Sequence, residues 1–247
     1  IFIKKLDIDG GTIVSPDGLN IKRYGVSNGN YGIYKKRLHP LSTDVESEVA
    51  VYGLSRLLGV KCCQAWLVKD VNEVVAFSKF EYNFANEYIV HARNFFADKE
   101  RLENEYENLV NKFPLSKNEI RQMILLDFIT RQTDRHLSNV AMIFSSLGME
   151  FYSLYDNGRS LFYEDSEEFI SKAINNIPLY SSEFGPVGTY FDYVQEIGKE
   201  ANISKLINID ISKDTIYRIY ANAGLRGYKL EGSTEWAYRA LQVLKMV

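Results

Sequence analysis

Two carboxylates and an amide carry the strongest chemical signal in the chain. Asp134 and Asn139 stand five residues apart in Thr133-Asp134-Arg135-His136-Leu137-Ser138-Asn139, and Asp156 opens Asp156-Asn157-Gly158 17 residues beyond Asn139. The first piece follows a long apolar helix and precedes an apolar strand; the second ends another apolar strand. A hairpin between them brings all three groups to one mouth. A carboxylate there can accept a hydrogen bond from an attacking hydroxyl, and an amide and a second carboxylate can hold magnesium, the minimal set for phosphoryl transfer. Taken singly, each piece has a plainer explanation, since Asp and Asn often cap turns and Asn-Gly is a common turn. The two in register, behind a buried helix, are much more specific.

The elements that must position these groups follow from pattern. Ser116 and Glu119 have the spacing of a capping box and open a helix through Arg131 whose Ile120, Met123, Ile124, Leu125, Leu126, Phe128 and Ile129 are apolar nearly all round, hence buried. Val140 to Phe144 and Phe151 to Tyr155 read as the two strands of the hairpin. Ahead of them, residues 1–82 read as mostly β and residues 83–247 as mostly helical, so a lobe boundary is placed at about residue 82. In the first part, Phe2 to Ile8 is a short strand and Gly10 to Asn20 a turn-rich loop. Leu19 to Val26 and Tyr31 to Leu38 form a hairpin around Ser27-Asn28-Gly29-Asn30. A helix over Val45 to Leu58 ends at Gly59, and strands over Val60 to Val68 and Val74 to Phe80 follow. In the second part, an amphipathic helix is expected over Asp98 to Phe113, and the clearest late helices over Asp214 to Ala223 and Thr234 to Val247.

Lys35 shares a strand face with Tyr31 and Ile33, surroundings apolar enough that its ammonium needs a partner, and Glu48 in the next helix can supply it. Such a pair aims an ammonium at a nucleotide phosphate. Lys36, Arg37 and Glu46 are open alternatives, and a solvated Lys beside a Glu favoured by the helix dipole is the plain one. The Gly10 to Asn20 loop lacks G-x-G-x-x-G, yet its Ser15 and backbone N–H groups can cradle phosphate.

Composition narrows the class. The 247 residues are 46% hydrophobic and 25% charged, an ordinary globular mix. A net charge of −3 offers no basic stripe, so direct nucleic-acid binding is not expected. No apolar run approaches the length of a membrane span, and no signal peptide is visible. Cys62 and Cys63 are adjacent in an expected strand and point to opposite faces, so they are read as free thiols of a cytoplasmic, reducing compartment. His39 and His91 have no partner at metal-ligand spacing and are read as surface or satisfied residues.

The chain resembles the HipA-like kinases, a family related in fold to phosphoinositide kinases, and in particular their small stand-alone type. The resemblance spans about residues 10 to 165. It is carried by Tyr31-Gly32-Ile33-Tyr34-Lys35 as the lysine strand, and by Ser47-Glu48-Val49-Ala50 through Leu57-Leu58-Gly59-Val60 as the glutamate helix. Val74 to Phe80 matches the strand into the hinge, Asp134-Arg135-His136 with Asn139 the catalytic loop, and Leu154-Tyr155-Asp156-Asn157-Gly158 the metal-binding strand end. It implies an α+β, two-lobed protein-kinase-like fold: a β-rich N-lobe with one main helix, a mostly helical C-lobe, and ATP with Mg2+ between them. Asp134 would be the base or hydroxyl orienter, with His136 in the same loop. Asn139 and Asp156 would hold magnesium, Lys35 would contact phosphates steadied by Glu48, and backbone groups of Phe80, Glu81 and Tyr82 would meet adenine. Ser15 is the nearest match to a phosphate-loop serine that becomes autophosphorylated in the family's namesake. Arg131-Gln132 departs from the Gly-Asn common before the aspartate.

The expected function is therefore an ATP- and Mg-dependent Ser/Thr protein kinase, with a protein substrate and an antitoxin or other regulatory partner in scope. A nucleotide-binding pseudokinase or a kinase-fold transferase of AMP or glutamate stands beside it. The run Glu164-Asp165-Ser166-Glu167-Glu168 either attracts a basic substrate or is a solvated helix start.

Overall fold

The structure is a computed structural model that describes residues 13–14, 21–70, 73–97 and 104–247. The expected strand Phe2 to Ile8, most of the Gly10 to Asn20 loop with Ser15, and the first turns of the helix expected from Asp98 lie outside the described residues.

The first half is one antiparallel sheet carrying one helix. Strands β1 (Ile13–Val14), β2 (Ile21–Ser27) and β3 (Asn30–Lys35) are followed by helix α1 (Asp44–Leu58), then β4 (Ala65–Asp70) and β5 (Glu73–Lys79). The sheet order is β1-β2-β3-β5-β4, which puts β3 in the middle. Asn28 and Gly29, both at positive φ (51° and 76°), make the two-residue turn between β2 and β3. That turn fixes the register, so that Tyr24 faces Ile33 and Lys22 faces Lys35. Gly59, at φ 77°, closes α1 with a left-handed cap.

Cys62 is not part of a strand: it forms an isolated parallel bridge with Leu154, and β4 begins only at Ala65. This bridge ties the sheet side to the second half. There, β6 (Tyr88–His91), β7 (Ala141–Ser145) and β8 (Gly148–Phe151) form a small sheet in the order β6-β7-β8. Helix α2 (Glu105–Lys112) precedes α3 (Lys117–Thr130). Beyond the small sheet come α4 (Glu167–Asn175), α5 (Ile177–Tyr180), a short β9–β10 pair (Glu183–Phe184 and Gly188–Thr189), α6 (Tyr190–Glu200), α7 (Ile203–Leu206), α8 (Lys213–Asn222) and α9 (Gly227–Met246).

Helix α3 is buried on every side, with Ile120, Met123, Ile124, Leu125, Leu126 and Ile129 fully covered. Its start differs from expectation. Ser116 makes no side-chain cap; Pro114 to Ser116 forms a 3-10 turn that leads into the helix instead. The second strand of the hairpin is displaced from the expected Phe151 to Tyr155: β8 runs Gly148–Phe151 and shares only Phe151 with it, because beyond Tyr152 the chain leaves β7 and Leu154 pairs with the loop at Lys61 to Cys63. The apolar face of α1 (Ala50, Val51, Leu54, Leu58) joins the same core as α3, α6, α8 and α9, while the sheet packs Val68, Val75 and Phe77 against Tyr34 and Trp66. Among the described residues, no helix is long and apolar enough to cross a membrane.

Candidate active site

The sheet delivers a lysine to a cleft, and α1 delivers its partner. Lys35 and Glu48 are both buried, with the Lys35 Nζ 2.9 Å from Glu48 Oε2. The other Glu48 oxygen accepts a hydrogen bond from Ser78 on β5 at 3.1 Å. The alternatives are separated by the geometry: Lys36 pairs with Glu73, Arg37 pairs with Glu46, and none of these lines the cleft. Asp156 completes the cluster from the other half of the chain, with Oδ1 3.0 Å from Lys35 Nζ and Oδ2 3.0 Å from Lys22 Nζ. Its φ of 59° turns the backbone sharply at this point. Gly158 then passes α1 so closely that a Cβ there would sit 3.1 Å from the Asp44 carbonyl oxygen.

Burial favours the neutral form of each group, but here charge pairing outweighs it. Desolvation would lower the Lys35 pKa, yet the Asp156 and Glu48 carboxylates hold it above its ordinary value. Desolvation would raise Asp156, yet Lys35 and Lys22 hold its carboxyl well below the usual carboxylate range. Asp156 therefore stays ionised through the whole neutral range.

The loop bearing Asp134 is held by side chains that the sequence pattern does not single out. Arg131, at φ 50°, ends α3 in the left-handed region that a glycine would occupy without strain. Its guanidinium is anchored by Asp165 at 2.9 Å and lies over the rings of Phe162 and Phe169. Gln132 is fully buried, and its Oε1 accepts from the backbone N–H groups of Thr133 (2.9 Å) and Asp134 (3.0 Å). Its Nε2 donates to the Asp156 carbonyl at 3.3 Å, so one side chain sets the loop of one acid against the backbone of the other. The departure Arg131-Gln132 thus orders this loop. Gln132→Ala leaves the Asp134 N–H without its acceptor, while the Thr133 N–H keeps the Arg159 carbonyl at 3.0 Å, and is expected to cost about 1–3 kcal/mol of stability, measured by urea unfolding.

Beneath the loop lies a buried ionic hub. Arg135 makes two 2.9 Å bonds to Asp127 of α3, and donates to the Tyr155 carbonyl at 2.6 Å and to Asn157 Oδ1 at 2.7 Å. Tyr190 of α6 donates to Asp127 at 3.1 Å. His136 Nδ1 accepts from Ser138 N at 3.2 Å, and Asn139 Nδ2 donates to the Asp134 carbonyl at 2.9 Å. His91 is satisfied: its Nδ1 donates to the Tyr155 hydroxyl (2.7 Å), which in turn donates to the Ser138 carbonyl (2.9 Å). Asp134 itself is about a third exposed (36% of its side chain) and stands 3.3 Å from Arg159.

These groups surround a cavity of about 550 Å³, well within the size range of small-molecule sites. Its lining combines polar groups, Lys22, Lys35, Asp134, Asn139 and Asp156, with apolar and aromatic ones, Ile33, Val45, Phe80, Tyr82, Ile89 and Tyr152. Phe80 and Tyr82, two of the residues whose backbone the resemblance sets against adenine, line the cleft. Glu81 does not: its backbone N–H donates to the Tyr152 hydroxyl at 2.9 Å, and its side chain turns toward Lys79, 3.5 Å away, and Gln64. The donor set suits magnesium held jointly with phosphate. Mg2+ takes one or two protein carboxylates plus phosphate oxygens, and the site offers one ionised carboxylate and one amide. Among the described residues, no cluster of three His, Cys, Asp or Glu forms a self-standing metal site.

The acidic run behaves as a helix start. Glu164 faces His39 (3.3 Å), Asp165 holds Arg131, Ser166 caps α4, and Glu168 pairs with Lys172. These contacts fit the reading of the run as a solvated helix start.

No protein-family model and no curated protein matches the chain. Solved structures do. The fold, an antiparallel β-sheet with one helix joined across a cleft to a mostly helical part, is that of the HipA/CtkA-like kinases. The proinflammatory kinase CtkA of Helicobacter pylori superposes with a TM-score of 0.70 over 96% of this chain and 93% of its own, at 16% identity. The HipA of Shewanella oneidensis MR-1, solved with HipB and operator DNA, superposes with a TM-score of 0.52 over 99% of this chain and 67% of its own, at 13% identity. At such identities the likeness is one of fold.

Proposed function

We propose that the chain is an ATP- and magnesium-dependent kinase that transfers the γ-phosphoryl group to a serine or threonine hydroxyl of a protein. The observation that carries this reading is the convergence of Lys35, Glu48 and Asp156 within 3.0 Å contacts in a cleft that Asp134 and Asn139 also line. Residues 1–82 would supply the phosphate-binding side and residues 83–247 the catalytic loop and metal ligands. The aromatic lining at Phe80 and Tyr82 would take the adenine ring. Lys35, kept charged and restrained by Glu48, would neutralise phosphate oxygens. Asn139 and Asp156 would hold the ion, which supplies charge neutralisation on the transferring phosphoryl group. Asp134, open to solvent, would accept the hydrogen bond of the incoming hydroxyl and orient it, with His136 shaping the turn behind it.

What supports an active enzyme over a nucleotide-binding pseudokinase is Gln132, which orders the loop where the departure from the common Gly-Asn falls. The likeness to HipA, solved with HipB, supports a regulatory protein partner. Two free thiols, Cys62 and Cys63, support a cytoplasmic setting.

Mg-ATP is expected to raise the melting temperature, because a ligand that binds only the folded state stabilises it by RT ln(1 + [L]/Kd), about 2.7 kcal/mol at a hundredfold excess over Kd. Thermal unfolding at millimolar Mg-ATP checks this, and an unshifted transition counts against the proposal. Transfer to the chain itself or to an added protein is read by mass spectrometry as the gain of one phosphoryl group with release of ADP. Gain of an AMP group with release of pyrophosphate would instead assign the AMP-transfer alternative.

A further inference from the structure

A groove of about 490 Å³ lies on the helical half of the chain and shares no lining residue with the cleft. Three helices frame it. On α4, Glu167, Ile170 and Ile174 recur at helical spacing along one face, and on α9 Tyr228, Glu231 and Glu235 do the same. Lys213 and Tyr217, one turn apart on α8, complete the lining. Gly232 of α9 lets α4 approach: a Cβ there would lie 2.2 Å from Ile170 Cγ2. Tyr217 and Tyr228 are each 43% exposed, so two aromatic side chains of the groove remain open to solvent.

The charges of this groove are unbalanced. Three carboxylates, those of Glu167, Glu231 and Glu235, face one ammonium, that of Lys213. Lys213 is already paired with Glu235, which Arg239 also holds. Among the described residues, Glu167 and Glu231 form no ion pair, whereas the other acids of the 164–168 run, Glu164, Asp165 and Glu168, face His39, Arg131 and Lys172. Open carboxylates on two helices, aromatic rings and aliphatic side chains together suit lysine and arginine. Each carries an aliphatic stem that packs on apolar surface, a cation attracted to ring faces, and donors for carboxylates. We propose that the groove between α4, α8 and α9 is a docking site for a basic segment of a partner protein. Its lysine or arginine stems would lie over Ile170, Ile174 and the tyrosine rings, with their charged ends against Glu167 and Glu231. An acidic segment is repelled by the same carboxylates, and a wholly apolar one would cover them without a counter-charge, which is costly. An occupant here leaves the lining of the cleft free, so the inference goes beyond the proposed catalysis and does not depend on it.

The probe is a random peptide library displayed on phage and selected on the full chain without nucleotide, so that the outcome is independent of the kinase proposal. Enriched peptides are then synthesised and titrated by fluorescence anisotropy into the parent and three double variants, each shown to be folded by circular dichroism. The first, Glu167→Gln with Glu231→Gln, removes the open carboxylates. The second, Tyr217→Ala with Tyr228→Ala, removes the rings. The third, Glu150→Gln with Glu183→Gln, removes two charges from exposed positions outside the groove. The expected result is enrichment of peptides that combine lysine or arginine with apolar residues. Their binding should weaken about tenfold in the first variant, the size of two partly exposed ion pairs lost together. It should weaken in the second and stay unchanged in the third. A library that yields no binder overturns the inference, as do enriched peptides that are acidic or uncharged. Affinities that the groove variants leave unchanged overturn it too, and so does an equal loss in the third variant, which would assign the binding to surface charge in general.

Discussion

Asp134→Ala is expected to lower the rate of phosphoryl transfer about 10²- to 10⁴-fold, the usual span for loss of a positioned general base, while the fold and Mg-ATP affinity stay close to those of the parent. The expectation follows from position. Asp134 has the most exposed side chain among the acids of the cleft, and its structural contacts are made by backbone: its N–H donates to Gln132 Oε1 and its carbonyl accepts from Asn139. Removing the carboxylate leaves both in place and gives up only the exposed ion pair with Arg159, of a kind usually worth about 0–1 kcal/mol. The loss should fall on kcat rather than on nucleotide binding, measured by steady-state transfer assays alongside calorimetry. Equal losses in both would move Asp134 to a binding role.

Arg135→Met is expected to destabilise the chain by about 3–5 kcal/mol, because it strands the buried Asp127 carboxylate without its counter-charge. The guanidinium also carries the Tyr155 carbonyl and Asn157 Oδ1, the two residues that flank Asp156. Its loss therefore loosens the metal-binding segment as well as the core. The ion pair is strong enough to hold Arg135 above its ordinary pKa against full burial. Replacing both partners, in Arg135→Met with Asp127→Leu, should recover part of the stability, since a buried pair exchanged for apolar groups often costs little. It should not recover activity. Urea unfolding of the two single variants and the double variant measures this, and a single variant as stable as the parent would contradict it.

Much of this site was legible in the sequence because its parts obey local rules. The all-apolar face of α3 announced a buried helix, Asn28-Gly29 announced a tight hairpin, and Gly59 announced the end of α1. The spacing of Asp134, Asn139 and Asp156 announced a shared cleft, which all three line. Lys22 was also within reach. A two-residue turn at Asn28-Gly29 pairs positions outward one by one, and that count sets Lys22 against Lys35. Asp127 gave a signal too, since an acid inside a fully buried helix needs a cation.

Other features depend on contacts that no local pattern encodes. The strand expected over Phe151 to Tyr155 lies instead at Gly148–Phe151, because Leu154 turns to Cys62, 92 residues away. The capping box at Ser116 gave way to a proline-led 3-10 turn. Gln132 looked like a defect, because its value lies in three long or looped contacts visible only once Asp156 is beside it. The acidic run allowed two readings from sequence, and its contacts with His39, Arg131 and Lys172 fit that of a helix start.

The most direct test of the cleft is the magnesium dependence of ATP binding, titrated calorimetrically into the parent chain and into Asp156→Asn, with circular dichroism to verify the fold. Asp156 is the group on which both lysines and the proposed ion converge, so magnesium is expected to tighten ATP binding to the parent, and this gain is expected to vanish in Asp156→Asn. A parent chain that binds no ATP, or an Asp156→Asn variant that keeps the full magnesium-dependent gain, would contradict the assignment.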